Sequence, residues 1–339
     1  MKVLANYYLP KVQYNNVNFG MIRIDSDDEA SKGGSHPLSG STTLLFREPH
    51  IQSAVVKLLK KDKPTTLKVL GCSDGSEAWS YAVLLSKAFK DKNLVKVEAV
   101  DKKESLIELA KTGYLLCSDI EKQKAGEGEI ALKGKNWSKY FEQQSEEPSE
   151  FQALASKHRG LSDIATSKNG GVTPDNGAQW YKINQENLCD VEFINDDMRN
   201  QIKTDAEQTV YVMASSVCYI GESEGTDKIV EVFEKIQNEN YNKKTPTYIA
   251  LGAVEIDWID NHEPCVWKYI ERLGFEHIPQ YELMQAGVKN NESMEDVKRK
   301  VFRLKPSAMP KKANFRCQPG FGCPPYVVQA MLRGEIPSA

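Results

Sequence analysis

No run of apolar residues in this 339-residue chain approaches the ~18 residues that a bilayer-spanning helix needs. The first ten residues carry one charge and a short apolar stretch, which is not the pattern of a signal peptide. A mean hydropathy of −0.51 is typical of soluble globular chains. We therefore expect a cytoplasmic protein with no membrane insertion.

Paired cysteines are missing as well. The 7 cysteines are an odd number, and no two of them have the C-x-x-C spacing of a zinc or redox site. This pattern disfavours a disulfide framework and indicates reduced thiols, as in a cytoplasmic protein. We expect no metal ion in the functional site.

An excess of one charge is also absent, because 44 basic residues face 47 acidic ones and the formal net charge is −3. Proteins that bind nucleic acid through its phosphates usually concentrate positive charge. The composition therefore predicts no nucleic-acid partner. The length allows one large domain or two modest ones.

Apolar runs alternate with helical patterns through residues 41–305, which predicts an α/β domain with a mostly parallel sheet and helices on both faces. The predicted strands are 67–70, 97–101, 191–194, 209–214 and 247–253, with an edge pair at 275–278 and 301–304. Three further segments surround this alternation. They are an N-terminal segment and linker (1–40), a partly disordered surface insertion (about 115–180) and an irregular C-terminal extension (306–339).

Residues 69–82 form the most informative local pattern, because they combine a buried strand, a turn of small residues and a helix start. Gly71 and Gly75 lack side chains, and we expect this to let a nucleoside approach the backbone. Asp101 ends the next predicted strand, where a carboxylate can accept hydrogen bonds from ribose hydroxyls. The turn has no Gly-Lys-Ser/Thr sequence and no third glycine, which excludes a P-loop and disfavours a dinucleotide. A nucleoside without phosphates remains, and S-adenosylmethionine is the obvious one.

Two segments, read together, carry a family resemblance. Residues 41–48 read S-T-T-L-L-F-R-E, and residues 71–80 read G-C-S-D-G-S-E-A-W-S. They resemble the N-x-T-x-F-F-R-E and G-C-S-T-G-E-E-P-Y-S segments of the CheR-type chemotaxis receptor methyltransferases. The similarity covers residues 41 to about 305, weakly in the middle, and suggests a divergent member. It implies a class I, Rossmann-like fold with a seven-stranded sheet, and S-adenosylmethionine as the methyl donor.

The resemblance also implies which residues bind the cofactor. Glu77 would meet the ammonium group of the methionine moiety, and Asp101 would bind the ribose diol. Asp197 would accept a hydrogen bond from the adenine amino group, and Met198 would pack on the adenine ring. The full implied set is Ser41, Thr43, Arg47, Gly71, Ser73, Gly75, Glu77, Asp101, Asp197, Met198 and Ser215.

Two residues are implied to be catalytic, Arg47 and Tyr219. Arg47 would lie over the cofactor close to the transferring methyl group, where its guanidinium offers a fixed fork for the incoming carboxylate. Tyr219 would lie near the point of methyl transfer. The chain also departs from the family, because Ala214 and Ser215 stand where the family has Arg and Asn. That departure removes hydrogen-bond donors that would face the cofactor and the substrate.

The sequence therefore predicts an S-adenosylmethionine-dependent methyltransferase, acting on a carboxylate (a glutamate side chain) of a protein substrate. Two alternatives stay open: a catalytically degenerate protein that binds S-adenosylmethionine or S-adenosylhomocysteine, and a methyltransferase for a small-molecule or amine acceptor. A nicotinamide oxidoreductase is disfavoured by the missing third glycine.

Overall fold

The computed structural model describes residues 44–305, except for 118, 128–131, 133–134, 159–160, 162–178, 215 and 290. The predictions for the N-terminal segment 1–40 and the C-terminal extension 306–339 lie outside the described residues. Within the described part, no helix is long and apolar enough to cross a bilayer.

Ten strands occur in the described residues, in a large and a small sheet. They are β1 (Thr65–Leu70), β2 (Val95–Asp101), β3 (Tyr114–Cys117), β4 (Phe141–Gln143), β5 (Gln179–Ile183), β6 (Asp190–Asn195), β7 (Gln208–Met213), β8 (Thr247–Leu251), β9 (Phe275–His277) and β10 (Val301–Leu304). The helices are α1 (Pro49–Leu58), α2 (Ser76–Ala88), α3 (Glu104–Thr112), α4 (Asp119–Ala125), α5 (Lys135–Ser138), α6 (Ser149–Lys157), α7 (Ser216–Ser223), α8 (Thr226–Asn240), α9 (Ala253–His262), α10 (Cys265–Arg272), α11 (Gln280–Gln285) and α12 (Glu292–Lys300).

The large sheet has seven strands in the order β6-β2-β1-β7-β8-β10-β9. Neighbours from β6 to β8 pair in parallel, whereas β10 is antiparallel to both β8 and β9. The predicted mostly parallel seven-stranded sheet is confirmed. Strands β1, β7 and β8 are buried along their whole length, as expected where helices cover both faces.

Alternate residues of the central strands face opposite sides of the sheet. In β1, Leu67 and Val69 belong to one hydrophobic cluster and Leu70 to the other. Helices α1, α2 and α3 contribute to the first cluster, and α7 to α10 contribute to the second. Lys68 lies between these positions, is 2% exposed and is ion-paired with Glu98. Helices therefore cover both faces, as predicted.

The insertion contains regular structure in its described part, and its predicted partial disorder stays a prediction because residues 162–178 lie outside the described residues. Its described residues form a small antiparallel sheet in the order β3-β5-β4. Trp180 of β5 packs on Phe151 of α6 with 4.6 Å between the ring centroids, and Trp137 stacks on Phe141 at 4.1 Å. The insertion therefore contributes strands and helices to the structure, with Phe141 in the first hydrophobic cluster and with Trp180 and Phe151 in a third cluster shared with α3.

Candidate active site

The carboxyl ends of β2, β1 and β7 meet at one edge of the large sheet, where the chain order of the strands reverses. From β1, the chain adds β2 and then β6 on one side, whereas β7 and β8 lie on the other. In open α/β sheets, ligands bind in the crevice at this kind of switch point. Of the residues predicted from the sequence, Glu77 follows β1 and Asp101 ends β2, whereas Asp197 follows the neighbouring β6 and Arg47 precedes α1.

The turn after β1 is fixed by hydrogen bonds to β2. The backbone N–H groups of Gly71 and Cys72 both donate to the carbonyl of Val100 at 2.9 Å. The Ser73 N–H donates to Oδ2 of Asp101 at 2.9 Å, and Ser73 adopts a positive φ of 52°. The turn and the end of β2 therefore form one rigid unit.

The two glycines of this turn make room for other parts of the protein. Both have a φ of 82°, in the left-handed region that disfavours side chains. A Cβ at Gly75 would lie 2.7 Å from the Cβ of Ala110, and one at Gly71 would lie 2.9 Å from the Cβ of Ser216. The sequence-based reason for these glycines, an approach route for the ligand, stays a prediction. The turn conformation and the close packing of α3 and α7 require them.

Asp101 is held with its carboxylate in a fixed orientation at the end of β2. Its Oδ2 accepts from Ser73 and its Oδ1 accepts from the Lys103 N–H, each at 2.9 Å. Burial raises the pKa of Asp101, and these backbone hydrogen bonds partly offset the effect. Each carboxylate oxygen can accept a second hydrogen bond, so the group can still bind a diol.

Glu77 and Arg47 lie together on the other side of the turn. Glu77, in the first turn of α2, is 6% exposed. Burial raises its pKa to about 7; the Arg47 guanidinium lowers it, and the neighbouring Glu48 raises it further. The guanidinium also donates through Nη1 to the carbonyl of Ala214, just beyond β7, at 3.5 Å. Arg47 thus links the end of β7 to the buried carboxylate.

Asp197 is in the predicted region, but cations of the protein already engage its carboxylate. Arg199 donates through Nε to Oδ1 at 2.9 Å and through Nη2 to Oδ2 at 2.5 Å, and Lys102 lies 2.9 Å from Oδ2. The hydrogen bonds from Arg199 hold the pKa of Asp197 well below its usual range. Met198 is 8% exposed and belongs to the core cluster that contains Leu70. The Asp197 carboxylate is therefore ion-paired within the protein, and Met198 is packed in the core.

Tyr219 remains only a predicted neighbour of the point of methyl transfer. It lies on α7 and is 56% exposed, whereas Cys218 beside it is buried. Burial raises the pKa of the Cys218 thiol to about 12, and Arg47 is close enough to lower it slightly. The buried side of α7 therefore carries Cys218, whose thiol is near the Arg47 guanidinium. Three predicted positions, Ser41, Thr43 and Ser215, lie outside the described residues.

Several polar residues near Arg47 were missed by sequence reasoning. Glu121 and Ser80, both fully buried, bind the backbone just before Arg47. Glu255, also fully buried, lies in the first turn of α9, where the helix dipole favours a negative charge. A Cβ built at Gly252 would lie 2.8 Å from Oε2 of Glu255. Its place just after a predicted strand was the signal that could have identified Glu255.

No group of three or more His, Cys, Asp or Glu side chains with metal-binding geometry occurs in the described part of the chain. Of the acidic residues near the crevice, Asp101 accepts backbone hydrogen bonds, Asp197 pairs with cations, and Glu77 is buried with a raised pKa. The arrangement suits an organic ligand that carries a cationic group and hydroxyl groups.

Comparison with known proteins identifies that ligand. Residues 41–158 match the family model described as CheR methyltransferase, SAM binding domain. No curated protein matches the chain significantly. Among solved structures, the chain is similar to the plantazolicin methyltransferase BpumL in complex with SAH. The identity is 11%, the TM-score is 0.32, and the match covers 75% of this chain and 79% of that chain.

A TM-score of 0.32 is too low for that likeness to support the fold, which rests on the strand order and on the family match. The family match starts at residue 41 and includes Arg47, Glu77 and Asp101. The cofactor is S-adenosylmethionine. Over residues 41–158 the chain matches the SAM binding domain of the CheR methyltransferases, and it is an S-adenosylmethionine-dependent methyltransferase with a class I, Rossmann-like fold.

Proposed function

We propose that the protein transfers a methyl group from S-adenosylmethionine to a carboxylate, a glutamate side chain of a protein substrate. The observation that carries this proposal is the place of Arg47. Its guanidinium donates to the carbonyl of Ala214, just beyond β7, and is near enough to the buried Glu77 to lower the pKa of that carboxyl group. A guanidinium can bind a carboxylate with two parallel hydrogen bonds, which fixes its orientation.

Two acids of the crevice suit the parts of the cofactor. Ionising the buried Glu77 costs free energy, and an ammonium group of the ligand would supply the opposite charge. Asp101 is oriented by two backbone N–H groups and keeps acceptor capacity for the ribose hydroxyls. Asp197 would bind adenine only if its pairs with Arg199 and Lys102 opened. We therefore assign the cofactor to Glu77, Asp101 and Arg47, with Arg47 over the cofactor close to its methyl group, and give Asp197 a structural role.

When bound, S-adenosylmethionine supplies an electrophilic methyl group, and the acceptor oxygen displaces S-adenosylhomocysteine from it. The acceptor is already an anion, so no side chain has to remove a proton. The protein's task is to orient the carboxylate and to exclude water, and orientation of reactants can supply roughly 7–11 kcal/mol. In our proposal Arg47 orients the carboxylate. The exposed Tyr219 would help to exclude water only if a bound substrate covered it.

The test is a transfer assay with methyl-tritiated S-adenosylmethionine and glutamate-containing peptides. A methyl ester releases volatile methanol in base, whereas a methylated amine keeps its label. We expect base-labile label with the wild-type protein and a loss of ~100-fold with Arg47→Ala, because misplacing a reactant has effects of this size. Arg272→Ala, an exposed arginine on α10, is the matched control and should retain activity.

Base-stable label would contradict the carboxylate acceptor and favour an amine. A second candidate, a protein that binds the cofactor without turnover, is favoured by Ala214. This residue offers no side-chain donor where the resemblance expects an arginine. Binding of S-adenosylhomocysteine without any transferred label would support this second candidate.

A further inference from the structure

The backbone just before Arg47 is held by side chains from two helices. The Leu45 N–H donates to Oε1 of Glu121 on α4 at 2.9 Å, and the Phe46 N–H donates to Oγ of Ser80 on α2 at 2.8 Å. Both bonds are buried, so each one satisfies an N–H that has no access to water. These bonds fix the path of the chain into Arg47.

The next two residues are held by lysines. Lys124, one turn after Glu121 on α4, donates to the carbonyl of Arg47 at 3.4 Å. Lys300, at the end of α12, donates to Oε1 of Glu48 at 2.5 Å. Four consecutive residues from 45 to 48 are therefore each bound by a side chain from elsewhere in the fold. We call residues 45–48 the Arg47 segment.

The Arg47 segment contains a strained residue. Phe46 has a φ of 50°, which is uncommon for any residue other than glycine and costs on the order of 1–3 kcal/mol. Its ring is 1% exposed and packs against Phe141 of β4, with 6.3 Å between the centroids. Such a conformation persists only where the surroundings determine it, and the contacts from α2, α4 and β4 do so.

Glu121 is the part of this arrangement that links the insertion to the site. It is fully buried, and it comes from the inserted α4. We propose that Glu121 is a positioning residue for Arg47, so that the insertion forms part of the active site. This inference rests on the proposed role of Arg47 at the cofactor. Truncating Glu121 would leave the buried Leu45 N–H without an acceptor and free the Arg47 segment to move.

Hydrogen exchange measures the first consequence. In Glu121→Ala, the amides of residues 45 and 46 should exchange ~10-fold faster, because one buried hydrogen bond is lost. Glu121→Gln keeps an acceptor oxygen and should restore most of the protection. Gln123→Ala, at an exposed position on the same helix, is the control and should exchange like the wild type. Unchanged exchange in Glu121→Ala would overturn the proposal.

Calorimetry with S-adenosylmethionine measures the second consequence and requires no acceptor. Arg47→Ala should weaken binding, and Glu121→Ala should weaken it ~3–10-fold, with rescue by Glu121→Gln. The double variant should bind no more weakly than Arg47→Ala alone, because Glu121 acts through Arg47. A merely structural role would instead give additive losses, and additive losses would overturn the proposal.

The two failures can be told apart. If Arg47→Ala binds S-adenosylmethionine like the wild type, the role of Arg47 at the cofactor is wrong and the positioning role falls with it. If Arg47→Ala weakens binding and Glu121→Ala does not, the role of Arg47 stands and the positioning role of Glu121 is overturned. The identity of the methyl acceptor affects neither result.

Discussion

The two sides of the crevice hold their acidic residues in different ways. On one side, Asp101 accepts two backbone N–H groups, and Asp197 is paired with Arg199 and Lys102. On the other, Glu77 is buried, and the nearby charges are those of Arg47 and Glu48. We call these the Asp101 flank and the Arg47 flank.

The two flanks differ in whether their carboxylates have partners within the protein when no ligand is bound. The Asp101 flank is largely complete without a ligand, since its carboxylates already have partners within the protein. The Arg47 flank holds a carboxylate with a pKa of about 7, which is costly to ionise there. Such poised groups occur at functional sites more often than elsewhere. The charged group of the ligand should therefore bind mainly at the Arg47 flank.

The largest expected effect is on Glu77. Glu77→Gln should weaken S-adenosylhomocysteine binding ~100-fold, because the ammonium group loses a buried ionic partner. The same change should stabilise the unliganded protein at pH 8 by on the order of 1–3 kcal/mol, because no buried carboxylate has to ionise. Calorimetry and thermal unfolding measure the two effects. Equal affinity of Glu77→Gln and the wild-type protein for S-adenosylhomocysteine would contradict the assignment of Glu77.

The pH dependence of binding follows from the same carboxyl. The folded-state pKa of about 7 lies above the ordinary value of 4.5, so Glu77 is protonated below pH 7 in the unliganded protein. The stability it contributes is present below pH 4.5 and is lost as the pH rises through about 7. Ligand affinity should change in the opposite direction, rising ~10-fold from pH 6 to pH 8. Glu77→Gln should remove this slope, and a slope that persists would assign it to another group.

The smallest expected effect is on Asp197. Asp197→Asn should change S-adenosylhomocysteine affinity less than ~3-fold and cost roughly 1 kcal/mol of stability, because a partly buried ion-pair network is weakened. The exposed Asp190 provides the matched control as Asp190→Asn. If Asp197→Asn lost as much affinity as Glu77→Gln, the two flanks would not differ, and Asp197 would be a cofactor ligand.

The large sheet was predictable from the sequence for a physical reason. Parallel strands covered on both faces are continuous apolar runs, so β1, β7 and β8 were recognisable one by one. The small sheet was not, because β4 has 3 residues and β3 has 4, which is too short for a periodic pattern. The contact of Trp180 with Phe151 also joins segments that the sequence does not show to be close.

The site was predictable where a residue's place at a strand end determines its role. Asp101 ends one predicted strand and Glu77 opens the helix after another, so topology brings both to the crevice, and their roles stay predictions. The partners of Asp197 were not predictable in the same way, since Lys102 comes from a different strand end and Arg199 folds back locally. Glu121 contacts a residue 76 positions earlier, and no local pattern indicates such a contact.

The most direct test of the cofactor crevice is titration calorimetry of S-adenosylhomocysteine into the wild-type protein and Asp101→Ala. The exposed Asp62 provides the control as Asp62→Ala, and thermal unfolding checks that each variant is folded. We expect the wild type and the control to bind one equivalent, and Asp101→Ala to bind at least ~10-fold more weakly, because the ribose loses its carboxylate partner. No heat with the wild type, or equal binding by the folded Asp101→Ala variant, would contradict the account.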